Sequence, residues 1–537
     1  MTSRLAALAA VLACGAALAG MADIGNTADT DRIASEPAAV ASLLGRAAET
    51  FGAPGMAVSV VRDGELVYAG GVGTTGNGTG RRVDADTLFH IGSVSKAFTA
   101  AALALLVDEG RIGWDDAVID HLPEFRMHDP WVTREFTIRD LLTHRSGLPP
   151  GAGDLLIFPD GRSTPSDILR ALRHLEPASS FRSQFDYDNL LYIVAGEVIA
   201  RVANMPFQNF LEMRLLAPLG MADCVASDDR ILPDAPVAIP HMTVEGEIES
   251  TTTRLTPTVA AAGGIVCSAR GMAAWMAFVL GEGETAEGER LVSEAQFREL
   301  IRPITLSSVP AYLAEHAGTS LRAYALGWGV STFHGEPMLS HGGGVWGMTS
   351  FIAVLPQSGL AVFASNNLMT AAPRALVYAV MEQALADPAA ADRKDWIDIL
   401  DRLATERQSE AEKAVAEAWQ SRAAESGPSL PLDHYTGTYR DPWYGDVRIR
   451  LTEDGELWFE SQRNEPLRGP LVHFQYDTFV ARWTDRRLMA DAYVTFYIGP
   501  EGDIEHVGMK AVSPATDFSF DFHDLELRPV PPPSSGR

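Results

Sequence analysis

The chain has 537 residues, too many for a single hydrophobic core, so two domains with tails are expected. Its formal net charge of −27 argues against nucleic acid as a partner and favours solubility. Lysine is almost absent: only Lys96, Lys394, Lys413 and Lys510 occur, and Lys96 stands alone across the first two-thirds of the chain.

Residues 1–22 read as a secretory signal peptide, with Arg4 as the charged start, an apolar run from Leu5 to Ala13, and Ala17-Leu18-Ala19 as an Ala-x-Ala cleavage site. Cys14 offers a rival reading as a lipoprotein box, which Leu12 before Ala13 disfavours. The expected location is periplasmic or secreted, with no transmembrane span in the mature chain. Residues 57–61 and 66–70 then read as two strands around an Asp63-Gly64 turn. After His90-Ile91-Gly92 comes Ser93, and an Ala/Leu-rich helical run follows to Glu109, stopped by Gly110. Ser93 is thereby expected in a first helical turn, where free N–H groups favour a developing anion, with Lys96 on the same face. Thr137 and Asp140 form a capping box, and Thr164-Pro165 reads as a helix start. Residues 350–355 and 360–365 form another strand pair around Gln357-Ser358-Gly359, and a helix is expected at 373–387.

Arginine cannot lose its proton near neutral pH, whereas a desolvated lysine can. A lone lysine three residues after a serine therefore meets the requirement of Ser-x-x-Lys acyl transfer, in which an amine relieves a hydroxyl of its proton. The spacing arises easily by chance, and an ordinary buried helix with a polar pair is the alternative. Two later features weigh against chance. Tyr187-Asp188-Asn189 before an apolar helix can present a phenol and an amide together, and Ser340-His341-Gly342-Gly343-Gly344 before a strand leaves room for a substrate backbone and frees an N–H for an oxyanion. Gly-x-Ser-x-Gly is absent, which argues against an α/β-hydrolase elbow, and no metal-ligand spacing appears among the 13 histidines, so no metal or cofactor is expected.

In this order, Ser93-x-x-Lys96, Tyr187-x-Asn189 and His341-Gly342-Gly343, the chain resembles the serine beta-lactamase-related hydrolases: class C beta-lactamases, DD-peptidases, D-aminopeptidases and related esterases. Residues 141–149 (LLTHRSGLP) are similar to a family segment that carries threonine where Arg145 stands, and 262–270 and 326–329 match two further segments. The resemblance covers residues 36–388. It implies a mixed α/β (α+β) fold: an antiparallel sheet flanked by helices, built from both ends of the domain, with an all-helical insertion. It also implies catalysis by Ser93, Lys96 and Tyr187, with an oxyanion hole from the Ser93 and Gly344 N–H groups and substrate contacts from Asn189, His341 and Gly343. The base is Lys96 or a Tyr187 phenolate whose pKa the neighbouring cation depresses. The expected substrate is a small molecule or short peptide: a small ester, an amide or a D-amino-acid-containing peptide, hydrolysed through an acyl-enzyme. The alternatives are a catalytically weak penicillin-binding, cell-wall-fragment-sensing protein and a true beta-lactamase. Many penicillin-recognising members carry Lys-Thr-Gly at the third motif; the mostly neutral His341 is a weaker carboxylate anchor. Trp346 is read equally as pocket wall or core.

With the leader gone only Cys224 and Cys267 remain, read as buried free thiols. Residues 389–430 read as a charged helical linker. Residues 431–530 alternate as short strands, and Tyr435-Thr436-Gly437-Thr438-Tyr439 is similar to the opening of lipocalin-like domains, so a small all-β barrel is expected. Its expected role is packing, substrate restriction or assembly, including a homo-oligomer, rather than chemistry. The tail 531–537 is expected to be disordered.

Overall fold

The chain returns on itself: the strand Gly55–Arg62 pairs with Leu360–Asn366, Val60 opposite Val362, so the sheet joins segments about 300 residues apart. The computed structural model describes residues 37–77, 81–160, 162–253, 255–385 and 393–531. The leader reading, Cys14 and residues 532–537 lie outside these. The main sheet has eight strands in the order Glu65–Gly73, Gly55–Arg62, Leu360–Asn366, Met348–Leu355, Glu336–Val345, Gly329–Phe333, Arg322–Tyr324 and Thr305–Ser307, all paired antiparallel. Asp63 and Gly64 both take positive φ, 51° and 84°, as a tight hairpin turn demands.

Every residue of Gly55–Arg62 is buried, because both faces of the sheet are covered. Successive side chains serve opposite faces. Val58 and Val60 meet Val40, Leu44 and Leu376 from the helices Pro37–Thr50 and Ala372–Leu385, whereas Ala57 meets Phe89 and Ala269. The helical insertion is centred on Ser95–Asp108, whose residues are buried all round except at its C-terminal end. Such a helix has no solvent face and must be enclosed by others. Leu190–Ala203, Glu294–Ile301 and the turn Ala260–Gly264 enclose it. Among the described residues no single helix is long and apolar enough to cross a membrane.

The free-thiol reading is overturned: Cys224 and Cys267 form a disulfide. The backbone bridge Val225↔Val266 brings the two segments side by side, and Gly271, lacking a Cβ, makes room for both sulfurs.

Helix Trp396–Ser421 leads to the second domain, its first turn held by Trp396, whose indole Nε1 donates to Glu382 at 2.9 Å. Eight strands then close into a barrel, from Gly437–Asp441 to Glu526–Pro529. The barrel is seated on the hydrolase-like domain. Phe520 packs on Phe158 and Trp346 with ring centroids 5.0 and 6.4 Å away, and the Asn464 amide donates to Leu155 O at 2.6 Å. Trp346 is core rather than pocket wall, with its indole N–H donating to Thr251.

Closing a loop of this length, the 224–267 disulfide stabilises the fold by about 2–4 kcal/mol through the unfolded state. Replacing both cysteines with serine should lower the denaturant midpoint, and adding reductant to the native protein should do the same. An unchanged midpoint in both measurements would contradict the bond.

Candidate active site

Ser93 lies in the short 3-10 turn Gly92–Val94, which immediately precedes the helix Ser95–Asp108, rather than in the helix's own first turn. The strand carrying His341-Gly342-Gly343 presses directly against this turn. A Cβ on Gly343 would stand 1.9 Å from Ile91 O and 2.3 Å from Ser350 Oγ, and one on Gly92 would stand 2.6 Å from Gly344 N. Both positions therefore exclude any side chain, and Gly92 also needs its positive φ of 53°. Gly344 is exposed, with open space where a side chain would be.

Lys96 is fully buried, 0% exposed. Its Nζ donates to Asn189 Oδ1 at 2.7 Å, to Ala262 O at 2.8 Å and to Ser93 Oγ at 3.0 Å. Three acceptors match three ammonium hydrogens. Burial nevertheless lowers its pKa to about 7, against the pull of Asp154 and Asp188, because neither carboxylate forms a direct ion pair with it. The ring of Tyr187 lies 4.9 Å from Nζ. Contrary to the sequence-based expectation, the Tyr187 pKa is raised well above the usual phenol value: burial drives the rise, Tyr324 adds to it, and the hydrogen bond with Ser93 only partly offsets it.

His341 is buried beneath this group. Its Nδ1 faces Gly342 O at 2.7 Å and its Nε2 faces the Tyr324 hydroxyl at 2.8 Å, partners that assign the proton to Nδ1 and make Nε2 the acceptor. Burial, then the Lys96 charge, pushes His341 down to about 3, so it is a neutral imidazole. The structure thus brings Ser93, Lys96, Asn189 and Tyr187 into one cluster, with Gly343 and Gly344 against the serine turn and His341 behind Tyr187, ring centroids 6.4 Å apart.

Several members of the cluster were not singled out from the sequence. Asp154 Oδ2 accepts from Asn189 Nδ2 at 2.8 Å, continuing the chain that starts at Lys96, and burial raises its pKa to about 7. Asp188, between the tyrosine and asparagine of the second motif, is raised by burial to about 7 and accepts from Leu191 N in the first turn of the next helix. His144, from the segment 141–149, lies against Tyr187 at 4.1 Å between ring centroids and accepts from Asp188 N. Nothing in local spacing marks Asp154 or His144, because tertiary contacts alone bring them to the site. Arg145 holds Asp140 together with Arg182, both bonded to the buried carboxylate. A cavity of about 510 Å³ lined by Trp131, Phe181 and Leu148 contains none of Ser93, Lys96, Tyr187, Asn189 and His341, so the site is placed by its chemistry.

Residues 40–386 match the model of the beta-lactamase family, about two-thirds of the chain. The chain belongs to the beta-lactamase family. Residues 421–529 match a domain of unknown function, DUF3471. Unguisins hydrolase ungD' of Aspergillus campestris (strain IBT 28561) is 28% identical over 483 residues, covering 85% of this chain and 86% of the relative. Among solved structures, the octameric penicillin-binding protein homologue from Pyrococcus abyssi superposes with a TM-score of 0.58 at 20% identity, covering 88% of this chain and 97% of that one. The D-stereospecific amidohydrolase from Streptomyces sp. gives 0.50 at 25% identity, covering 62% and 94%. The family therefore includes hydrolases.

The carboxylate of Asp154 raises the Lys96 pKa by its charge, so removing it lowers that pKa further. If the amine must be neutral to act, the acid limb of kcat/KM in Asp154→Asn should move to lower pH than in the parent. A pH profile showing the limb unmoved or moved upward would contradict the coupling.

Proposed function

We propose that this protein is an exported serine hydrolase that works through an acyl-enzyme on Ser93, acting on small esters, amides or D-amino-acid-containing peptides. The carrying observation is the buried Lys96 amine, 3.0 Å from Ser93 Oγ with a pKa of about 7. An amine poised near neutrality is half-deprotonated at pH 7 and suits general-base catalysis there. Ser93 Oγ attacks the substrate carbonyl as its proton passes to Lys96, and the oxyanion is held by the Ser93 and Gly344 N–H groups. Tyr187, a neutral phenol, relays the proton to the leaving group, whose departure leaves Ser93 acylated. Water then repeats the sequence and releases the acid. The opposed shifts of Lys96 and Tyr187 favour the lysine as the proton acceptor.

Neutral His341 offers no cation to a substrate carboxylate, which favours neutral esters and amides over beta-lactams. The relatives named for hydrolysis and D-stereospecific amide cleavage support the substrate class. The disulfide supports an oxidising, extracytoplasmic location. The octameric neighbour supports a homo-oligomer, which light scattering on the purified protein would measure.

Treatment with a fluorophosphonate, followed by peptide mass spectrometry, should label Ser93; labelling absent at every pH, or found at another serine, would favour a sensing protein without turnover. Lys96→Arg keeps the charge but not the ability to deprotonate, so acylation should fall by about 10²-fold or more. Tyr187→Phe should do similar harm, and the double variant should lose little more, because the residues act as one unit. Fully additive losses measured in the double variant would contradict that coupling.

A further inference from the structure

The barrel does not stop at the edge of the active site. Between its last two strands, Ile504–Ala511 and Glu526–Pro529, the chain runs out to the loop that carries Asp154. Asp521, fully buried, accepts from Gly153 N at 2.6 Å and Leu155 N at 3.0 Å, and Ser519 Oγ donates to Asp154 Oδ2 at 2.9 Å. The excursion is therefore pinned on both sides of Asp154. Three aromatic side chains alternate along it. Phe520 and Phe522 are buried, 4% and 1% exposed, whereas Phe518 is 47% exposed although it sits edge-on to Tyr187, ring centroids 5.8 Å apart. Gly151 sits beneath Phe518: an added Cβ there would meet Phe518 O at 2.6 Å and Phe518 Cδ2 at 2.8 Å, and the Gly151 N–H donates to Tyr187 O.

We propose that Phe518, supplied by the barrel, is a specificity-determining residue that contacts an apolar group on the leaving-group side of the substrate. This rests on the reading of Ser93 as nucleophile and Tyr187 as the proton relay to the leaving group. A large aromatic surface left half open beside such a relay, on a backbone fixed by Asp521 and Ser519, is a preformed apolar wall with its binding face free. Its partner is the alkyl or aryl portion of an alcohol or amine leaving group. The barrel thus completes the substrate cleft, and selectivity for apolar leaving groups belongs to the second domain.

Three acetate esters whose alcohols differ little in intrinsic reactivity, methyl, butyl and 2-phenylethyl acetate, test the proposal with the full-length protein. Fluorophosphonate labelling of Ser93 is followed in parallel. The ratio of kcat/KM for 2-phenylethyl over methyl acetate should fall by about tenfold in Phe518→Ala, mostly through KM, the size expected for losing an apolar contact. Phe518→Leu should keep most of the ratio. An unchanged ratio in Phe518→Ala, or an equal loss for all three esters that Phe518→Leu repairs, overturns the proposal, since the second result means that Phe518 only supports Tyr187. If the parent protein shows no label on Ser93, the hydrolase reading fails and this inference with it; a labelled Ser93 with an unchanged ratio defeats this inference alone.

Discussion

The site depends on keeping one amine out of water. Moving the Lys96 pKa from the ordinary lysine value to about 7 corresponds to a penalty on the charged form on the order of 5 kcal/mol. The surroundings that impose it are visible in the packing. The helix that carries Lys96 is buried from Ser95 to Leu106, and Tyr187 and Tyr192 place their rings about 5 Å from Nζ. Hydrogen bonds to Ser93, Asn189 and Ala262 keep the amine oriented without adding a full negative charge. An aspartate in direct contact would restore the ordinary pKa; the structure instead puts Asn189 between Lys96 and Asp154. Asp154 is itself pushed up to about 7, so the charges on the two groups are linked across that amide.

The glycines of the third motif follow from the same enclosure. Ser93 stands on a tight turn, and the strand beside it must approach backbone to backbone. Gly343 has Ile91 O where a Cβ would be, and Gly327 has the Lys96 carbonyl 2.8 Å from where its own would lie, at a positive φ of 80°. These close approaches seal the lysine in and leave Gly344 open on the side from which a substrate would come.

What was legible in the sequence was local chemistry and its order. Ser93 and Lys96 are three residues apart across a helix start, and Tyr187 and Asn189 share a loop, so spacing alone reports that they can act together. Their meeting with His341 follows from the order of the motifs and the resemblance. The mixed fold and barrel were legible because alternation, hairpin glycines and the long Ala/Leu run are all short-range signals. Contacts made only by the tertiary fold were not. Two cysteines with no framework gave no sign of pairing, because the Val225↔Val266 bridge that aligns them joins distant segments. The direction of the Tyr187 shift was misjudged because a nearby cation can be read from a motif, whereas the depth of burial cannot. Asp154 and the barrel residues Phe518, Ser519 and Asp521 lie far apart in sequence, so nothing announced that they meet. The barrel, read as separate from the chemistry, reaches the hydrogen-bond chain that ends at Lys96.

The scarcity of lysine makes the central claim measurable. Protein carrying carbon-13 at lysine Cε has four such side chains to follow, and Lys96→Arg identifies the one that matters. A pH titration followed by NMR should show the resonance missing from that variant moving with a midpoint near 7. If that resonance instead titrates at the ordinary lysine value, the amine is charged throughout the neutral range, and Lys96 is not the base.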